Sequence, residues 1–281
     1  TYFKHRPVLH SPFRREKMLA YVSMMQEEIE EWLDGLGNAG EIELNSEIVK
    51  LVQNVAGHSF LGKSFRQRFG REFWDQYTIL SKGMDPILPP NLPLPRFKRR
   101  DAARANLIEM ITPFIQERRQ NPGQYDDFLQ DFLNTPYKDG SPVEDHIVIN
   151  MILGLAFAGH ETTAGQAAWT IIEMIRHPEY RALVEQEVDE HLPPGTTINQ
   201  ELLNKLKHTE WAVREVERLH PSTDLLIRMA EEDLDVCGYR IPAGWVVFVN
   251  AFNAHRLPEV FADPERFDPL RFAPGREEDK Q

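Results

Sequence analysis

Apolar positions along this chain fall first into helical spacing and only late into alternation. Between Glu16 and Leu36, Leu19, Val22, Met25 and Ile29 recur at three- and four-residue steps, the stripe of an amphipathic helix, and Gly35 and Gly37 then stop it. Leu44–Ser59 and Phe69–Lys82 predict two more helices. Gly83–Phe97 follows with five prolines, which forbid a regular helix interior. Arg99–Arg119 resumes the helical period, with a kink expected at Pro113, and Tyr125–Leu133 predicts a shorter helix.

The longest element starts at Ser141. Ser-Pro-Val-Glu (Ser141–Glu144) reads as a capping box with proline at the first helical position, and no proline follows until Pro178. One helix of roughly 35 residues, about 50 Å at 1.5 Å per residue, is predicted. Pro178 starts another helix, which runs to Pro193, and a further helix covers His208–His220 before Pro221. The texture then changes. Leu225–Met229, Leu234–Tyr239 and Trp245–Val249 are β-like runs, and Ile241–Gly244 forms a turn between the last two. Beyond Asn250 the chain is rich in Pro, Phe and Arg. The pattern describes a mainly α fold with a small β region, a single domain over 1–281 that is helical to about 221 and β-like or irregular from about 222.

Composition narrows the classes. With 281 residues, 41% of them apolar, the chain can bury a sizeable core. A net charge of -12 argues against a general nucleic-acid binder. Cys237 is the single cysteine, so no internal disulfide can form and no Cys/His zinc spacing exists. No uninterrupted run of about 18 apolar residues and no signal peptide are visible. Thr1 is not an initiator methionine, and the sequence opens as if inside an element. The localisation expected is cytoplasmic or peripheral on a membrane.

The midpoint of the long helix reads Ala158-Gly159-His160-Glu161-Thr162-Thr163. Glycine there costs about 1 kcal/mol against alanine, and the Thr162 hydroxyl competes for the carbonyl of Ala158. Met151, Leu155, Ala158 and Thr162 share one face, which becomes apolar with a dent and a hydroxyl beside it. Close packing against another helix would use the same small residues. A zincin would need histidine at Ala164, and a Walker loop would need a Gly-Lys pair where Gly165 precedes Gln166. Glu215 and Arg218 lie three apart on one helix face, a spacing that most often gives a solvated ion pair. Glu217 and His220 form a lone E-x-x-H, while di-iron sites need two.

Taken together and in order, three segments carry a resemblance. A-G-x-E-T-T at Ala158–Thr163, E-x-x-R at Glu215–Arg218 followed by Leu-His-Pro, and Pro264-Glu265-Arg266-Phe267 within DPERFDPLRF are similar to the motifs of the cytochromes P-450, which are haem-thiolate monooxygenases. The resemblance covers Ser141–Gln281 and is fainter before that. The Pro-rich stretch ending in Pro93–Asp101 is similar to the F–G region of the sterol 14-demethylase-like branch. That branch usually carries histidine where this chain has Glu161, and serine at Thr163.

The resemblance implies a partial cytochrome P-450 fold built around the long central helix. It also implies insertion of one oxygen atom from dioxygen into an apolar, sterol- or lipid-like substrate. Thr162 with Glu161 would deliver protons; Ala158 and Gly159 would leave room for oxygen; Arg228 and Arg6 would hold haem propionates. Glu215 and Arg218 would lock to Arg266. Met151, Leu155, Thr223, Asp224, Leu225 and Leu226 would line the substrate pocket.

The family's iron ligand is a cysteine thiolate downstream of P-E-R-F, and the sequence stops at Gln281, before that loop. The expectation is an internal part of a longer protein, inactive alone, lacking an N-terminal region and the haem-binding loop. Cys237 lies upstream of P-E-R-F and lacks the loop's glycine pattern. The implied cofactor is haem b, and the implied partner is a ferredoxin or flavoprotein reductase. A membrane contact through residues 87–100 is a further expectation. Two rivals are a non-catalytic relative binding a lipid or a protein, and a helical metal hydrolase using His160, His220 and His255.

Overall fold

The computed structural model describes residues 2–85 and 88–280, and these divide into two compact units. The first holds the chain through Glu161 together with Thr197–Gln200; the second holds Thr162–Thr196 and the chain from Glu201. Pro86 and Ile87, within the candidate membrane segment, lie outside the described residues, as do Thr1 and Gln281.

Helices α1 (Tyr2–Leu9), α2 (Arg15–Leu36), α3 (Leu44–Leu61), α4 (Lys63–Lys82), α5 (Pro95–Gln120) and α6 (Phe128–Asn134) belong to the first unit, with the first half of α7 (Asp145–Arg176). Its core joins Phe65, Phe73, Trp74 and Tyr77 of α4 to Leu107, Ile111 and Ile115 of α5 and to Val148, Ile149 and Ile152 of α7. Pro95 opens α5 at a position where its missing N–H costs nothing. Pro113 sits inside the same helix, which continues through it to Gln120. By length and composition α7 is apolar enough to cross a membrane, yet 44% of its apolar window is buried within the protein.

Three expectations change. The stripe Leu19, Val22, Met25, Ile29 on α2 is half-buried or exposed, whereas Tyr21 and Glu28 point inward. Their polar ends explain the rotation: the Tyr21 hydroxyl donates to Asp131, and Glu28 receives His58 Nδ1 at 2.8 Å and the guanidinium of Arg66. The helix predicted from Phe69 begins six residues earlier: α4 starts at Lys63, directly after Gly62 at φ 89°, and buries Phe65 in its first turn. Ser141 does not cap α7. It closes a turn in which Asp139 accepts from its N–H and hydroxyl at 2.9 and 2.6 Å, and the helix starts at Asp145, after Glu144.

The second unit holds the rest of α7, then α8 (Pro178–His191), α9 (Gln200–Leu203, whose first residue belongs to the first unit) and α10 (Lys207–Leu219). Strands β1 (Leu225–Met229), β2 (Leu234–Val236), β3 (Tyr239–Ile241) and β4 (Val246–Asn250) follow, with a short α11 (Ala251–Ala254). Tyr180, Ala212, Val216, Leu219 and Phe267 form its core. Glu187 of α8 accepts from the N–H of His208 at 2.7 Å and from the N–H and hydroxyl of Thr209 at 2.9 and 2.8 Å, so a carboxylate from another helix caps the start of α10. β1 pairs antiparallel with β4, Leu225 opposite Asn250. The predicted run Leu234–Tyr239 splits into the β2–β3 hairpin at Cys237 and Gly238, at φ 50° and 82°.

Candidate functional site

In the first unit, α1 and the first half of α7 wall a cleft of about 470 Å³. Met151, Gly154, Leu155 and Ala158 form the α7 side by one-turn spacing, and His5, Arg6 and Leu9 line it from α1. Arg6, named through the resemblance, therefore lines the same cleft as Met151, Leu155 and Ala158, which spacing had placed on one helix face. A Cβ added at Gly154 meets nothing within 4 Å, so the small residue leaves the cleft open. At Gly159 the nearest atom would be Phe60 Cζ at 4.0 Å, so close backbone packing does not require that glycine.

Glu161 is exposed and Thr162 half-buried, one turn beyond Ala158 along α7. His160 turns the other way, into the core of the first unit. Its ring stacks on Trp74 at 4.8 Å, its Nε2 lies 3.1 Å from Gln53, and burial lowers its proton affinity. His220 stacks on Trp169 at 3.8 Å with its Nε2 3.0 Å from Glu173. His255 gives its carbonyl to Arg218. The His160 and His220 rings are thus engaged locally, and among the described residues no three His, Cys, Asp or Glu side chains are grouped to hold a metal ion.

The second unit holds the buried lock. Glu215 is fully buried and accepts from Arg218 Nε and Nη2 at 2.8 and 2.9 Å, from Arg271 Nε at 3.0 Å and from the N–H of Asp268 at 2.8 Å. Arg218 also donates to the carbonyls of His255 and Pro264 at 2.9 and 2.6 Å. The pair is therefore not a solvated one. Arg266 is a correction: its side chain is exposed, and it contributes only its carbonyl, to Arg218 at 3.3 Å and to Arg271 at 3.2 Å. The second guanidinium belongs to Arg271, which is 0% exposed and also reaches Glu278. The short helical turn Pro269–Phe272 turns Arg271 inward, under Phe272 and Pro269, both buried. The sequence held the signal, because Pro-x-Arg-Phe occurs twice, at Pro264 and at Pro269.

Arg228 stands exposed on β1, with its Nη1 2.9 Å from the neighbouring carbonyl of Ile227. Thr223, Asp224, Leu225 and Leu226 are exposed at the approach to and start of β1. Cys237 is exposed in its hairpin turn. In the candidate membrane segment Leu88 and Leu92 are partly exposed, while Arg96 pairs with Asp85 at 2.6 Å and Arg100 donates to the carbonyl of Pro90.

The chain is mainly helical, with a long central helix, a buried E-x-x-R lock and a small antiparallel β region, the features of a P450-like fold. The chain belongs to the cytochrome P450 family, which it matches over residues 1–281. It lies in the sterol 14-demethylase-like branch. It is 33% identical to a sterol 14alpha-demethylase of Mycolicibacterium vanbaalenii over 97% of this chain and 62% of that protein. It is 34% identical to an obtusifoliol 14-alpha demethylase of Sorghum bicolor over 95% of this chain and 56% of that protein. The solved structure of retinoic acid bound cyanobacterial CYP120A1 superposes with a TM-score of 0.87 at 26% identity, covering 99% of this chain and 63% of that one. The chain thus spans less than two thirds of the length of these relatives.

Proposed function

We propose that the intact protein is a haem-thiolate monooxygenase acting on an apolar, sterol- or lipid-like molecule. The observation that carries this reading is the cleft: an apolar α7 wall with an arginine on the facing helix, directly before a Glu-Thr pair on the same helix. The donor set suits a porphyrin. Its carboxylates need guanidinium forks, and Arg6 in the lining of this cleft offers one from an exposed position; Arg228, exposed on β1, is a candidate through the resemblance alone. Its flat apolar face needs small neighbours, which Gly154 and Ala158 supply. Cys237 does not suit the iron, because it sits exposed in a tight hairpin turn, and the thiolate is assigned outside residues 1–281.

When bound, haem b supplies the oxidative chemistry, drawing electrons from a ferredoxin or flavoprotein reductase. The chain supplies positioning and protons. Met151 and Leu155 are the cleft residues for an apolar substrate; Thr223, Asp224, Leu225 and Leu226 are candidates through the resemblance alone. Ala158 and Gly159 keep the helix face low. The exposed Glu161 carboxyl takes protons from solvent and passes them to the Thr162 hydroxyl. Leu88 and Leu92 are the candidates for membrane contact.

Purifying the full-length protein and recording its reduced, carbon-monoxide-bound spectrum tests this. A thiolate-specific absorbance band is expected. Its absence in a haem-loaded sample would favour a non-catalytic relative that binds a lipid or a protein.

A further inference from the structure

We infer that His160 is a positioning residue, which pins the rotation of α7 so that the Glu161 carboxyl stands where it can feed protons to the reaction. The inference rests on reading Glu161 as the entry point for those protons. His160 is 6% exposed and its neighbour Glu161 is exposed, so the two side chains leave α7 in different directions. Three helices close a ring of contacts around the imidazole. Trp74 of α4 donates its Nε1–H to the Gln53 carbonyl of α3 at 3.0 Å. The Gln53 side-chain nitrogen lies 3.1 Å from His160 Nε2. The imidazole then stacks on Trp74, with 4.8 Å between centroids and 30° between planes, and Tyr77 meets it edge-on at 6.0 Å. With its side chains a helix has a radius of about 5–6 Å, so turning α7 by ~20° would carry the imidazole ~2 Å, out of reach of Gln53. Glu161, about 100° further round the helix, would turn by the same angle.

Packing alone gives no use for a histidine here. Burial lowers the proton affinity of His160 from its ordinary 6.5, and the charge of Glu161 is the weaker, opposing influence, so the ring is neutral near pH 7. An amide nitrogen can only donate, so Nε2 accepts from Gln53 and the ring hydrogen sits on Nδ1. That Nδ1 is buried and has no hydrogen-bond partner among the described residues. A phenylalanine would fill the space against Trp74 without burying an unpaired N–H. What the histidine adds is one directional bond to α3, one residue before the acid, and a local cost of this kind is characteristic of a functional position.

The test uses the full-length, haem-loaded protein with ferredoxin, ferredoxin reductase and NADPH, and no substrate. Oxygen then leaves as hydrogen peroxide, taking two electrons and two protons, or as water, taking four of each, and the water route needs a well-placed proton donor. In His160→Phe the peroxide-to-water ratio should rise about tenfold. Amide exchange over residues 158–164 should quicken about five- to tenfold, while haem content and exchange in the rest of the first unit stay as in the wild type. Gln53→Leu, which leaves α7 itself untouched, should act in the same direction. The double variant should be no worse than either single one, because both cut the same bond. An unchanged ratio in both single variants, effects that multiply in the double variant, or exchange that quickens across the whole first unit with loss of haem overturns the inference; the last result would mark a packing residue. Should His160→Phe fail to fold, Gln53→Leu decides. A missing thiolate band in the wild type would remove the monooxygenase reading by itself. Local exchange that still quickens in the variants would then keep His160 as the pin of α7, and unchanged exchange would remove the pin as well.

Discussion

Replacing Arg271 and Arg266 separately by alanine asks which guanidinium holds the lock. Glu215 has no solvent and one negative charge, balanced by Arg218 and Arg271 at 3% and 0% exposure. Removing the Arg271 side chain takes one of two charge-assisted partners from Glu215, takes the Arg271 contact from Glu278 and empties a fully buried volume. Breaking a buried pair in this way costs about 3–5 kcal/mol. Arg266 contributes a carbonyl that alanine keeps, and its exposed side chain places the change within about 0.5 kcal/mol. A chain with two compact units has no single unfolding free energy, so amide hydrogen exchange over α10 in the full-length protein is the suitable assay. Arg271→Ala should speed exchange there by roughly a hundred- to several-thousand-fold, and Arg266→Ala should leave it nearly unchanged. Equal effects of the two variants, or none from Arg271→Ala, would refute the reasoning.

Gly62→Ala places a Cβ 2.9 Å from both Arg118 Nη2 and Asp127 Oδ2 at a backbone φ of 89°; it should destabilise the first unit by about 2–4 kcal/mol, measured by exchange in α3 and α4. Burial pushes Asp127 from its ordinary 3.8 up to about 6, with Arg118 opposing the rise. The folded chain therefore binds that proton more tightly than the unfolded one. The stabilisation is full below about 4 and is lost as pH rises through about 6. Thermal melting should show a steeper decline across that window in the wild type than in Asp127→Asn, and equal slopes would contradict the assignment. Cys237→Ser should leave the haem content and the thiolate band of the full-length protein unchanged; loss of the band would make the hairpin cysteine a ligand after all.

Much of the helical frame was legible because prolines and glycines mark its ends. α8 begins at Pro178, α10 ends just before Pro221, and β1 matches its alternating run. The start of α4 was hidden by the charges between Lys63 and Arg68, although Phe65, Phe69, Phe73 and Tyr77 recur every four residues. Helix α1 is only eight residues long, contains Pro7 and has no stripe to reveal it. The capping box at Ser141 failed because Asp139, two residues earlier, competes for the serine's N–H and hydroxyl. The lock was half legible. Spacing on one helix placed Glu215 and Arg218 together, but choosing between two copies of Pro-x-Arg-Phe needs the packing of Phe272 and Pro269. The contact between Tyr137 and His5 joins residues 132 positions apart, a distance over which no periodicity speaks.

The carboxylate of Glu187 at the beginning of α10 ties the assembly order of the second unit to its chemistry. Cut from its surroundings, a peptide of α10 would have bare N–H groups at its front and a weak tendency to coil, since thirteen residues are marginal for a lone helix in water. Only once α8 has arrived is that front satisfied, and only a firm α10 presents Glu215 and Arg218 in register to Arg271. Loss of one acid in α8 would therefore be felt some way off, as slow or incomplete closure of the arginine cluster during refolding.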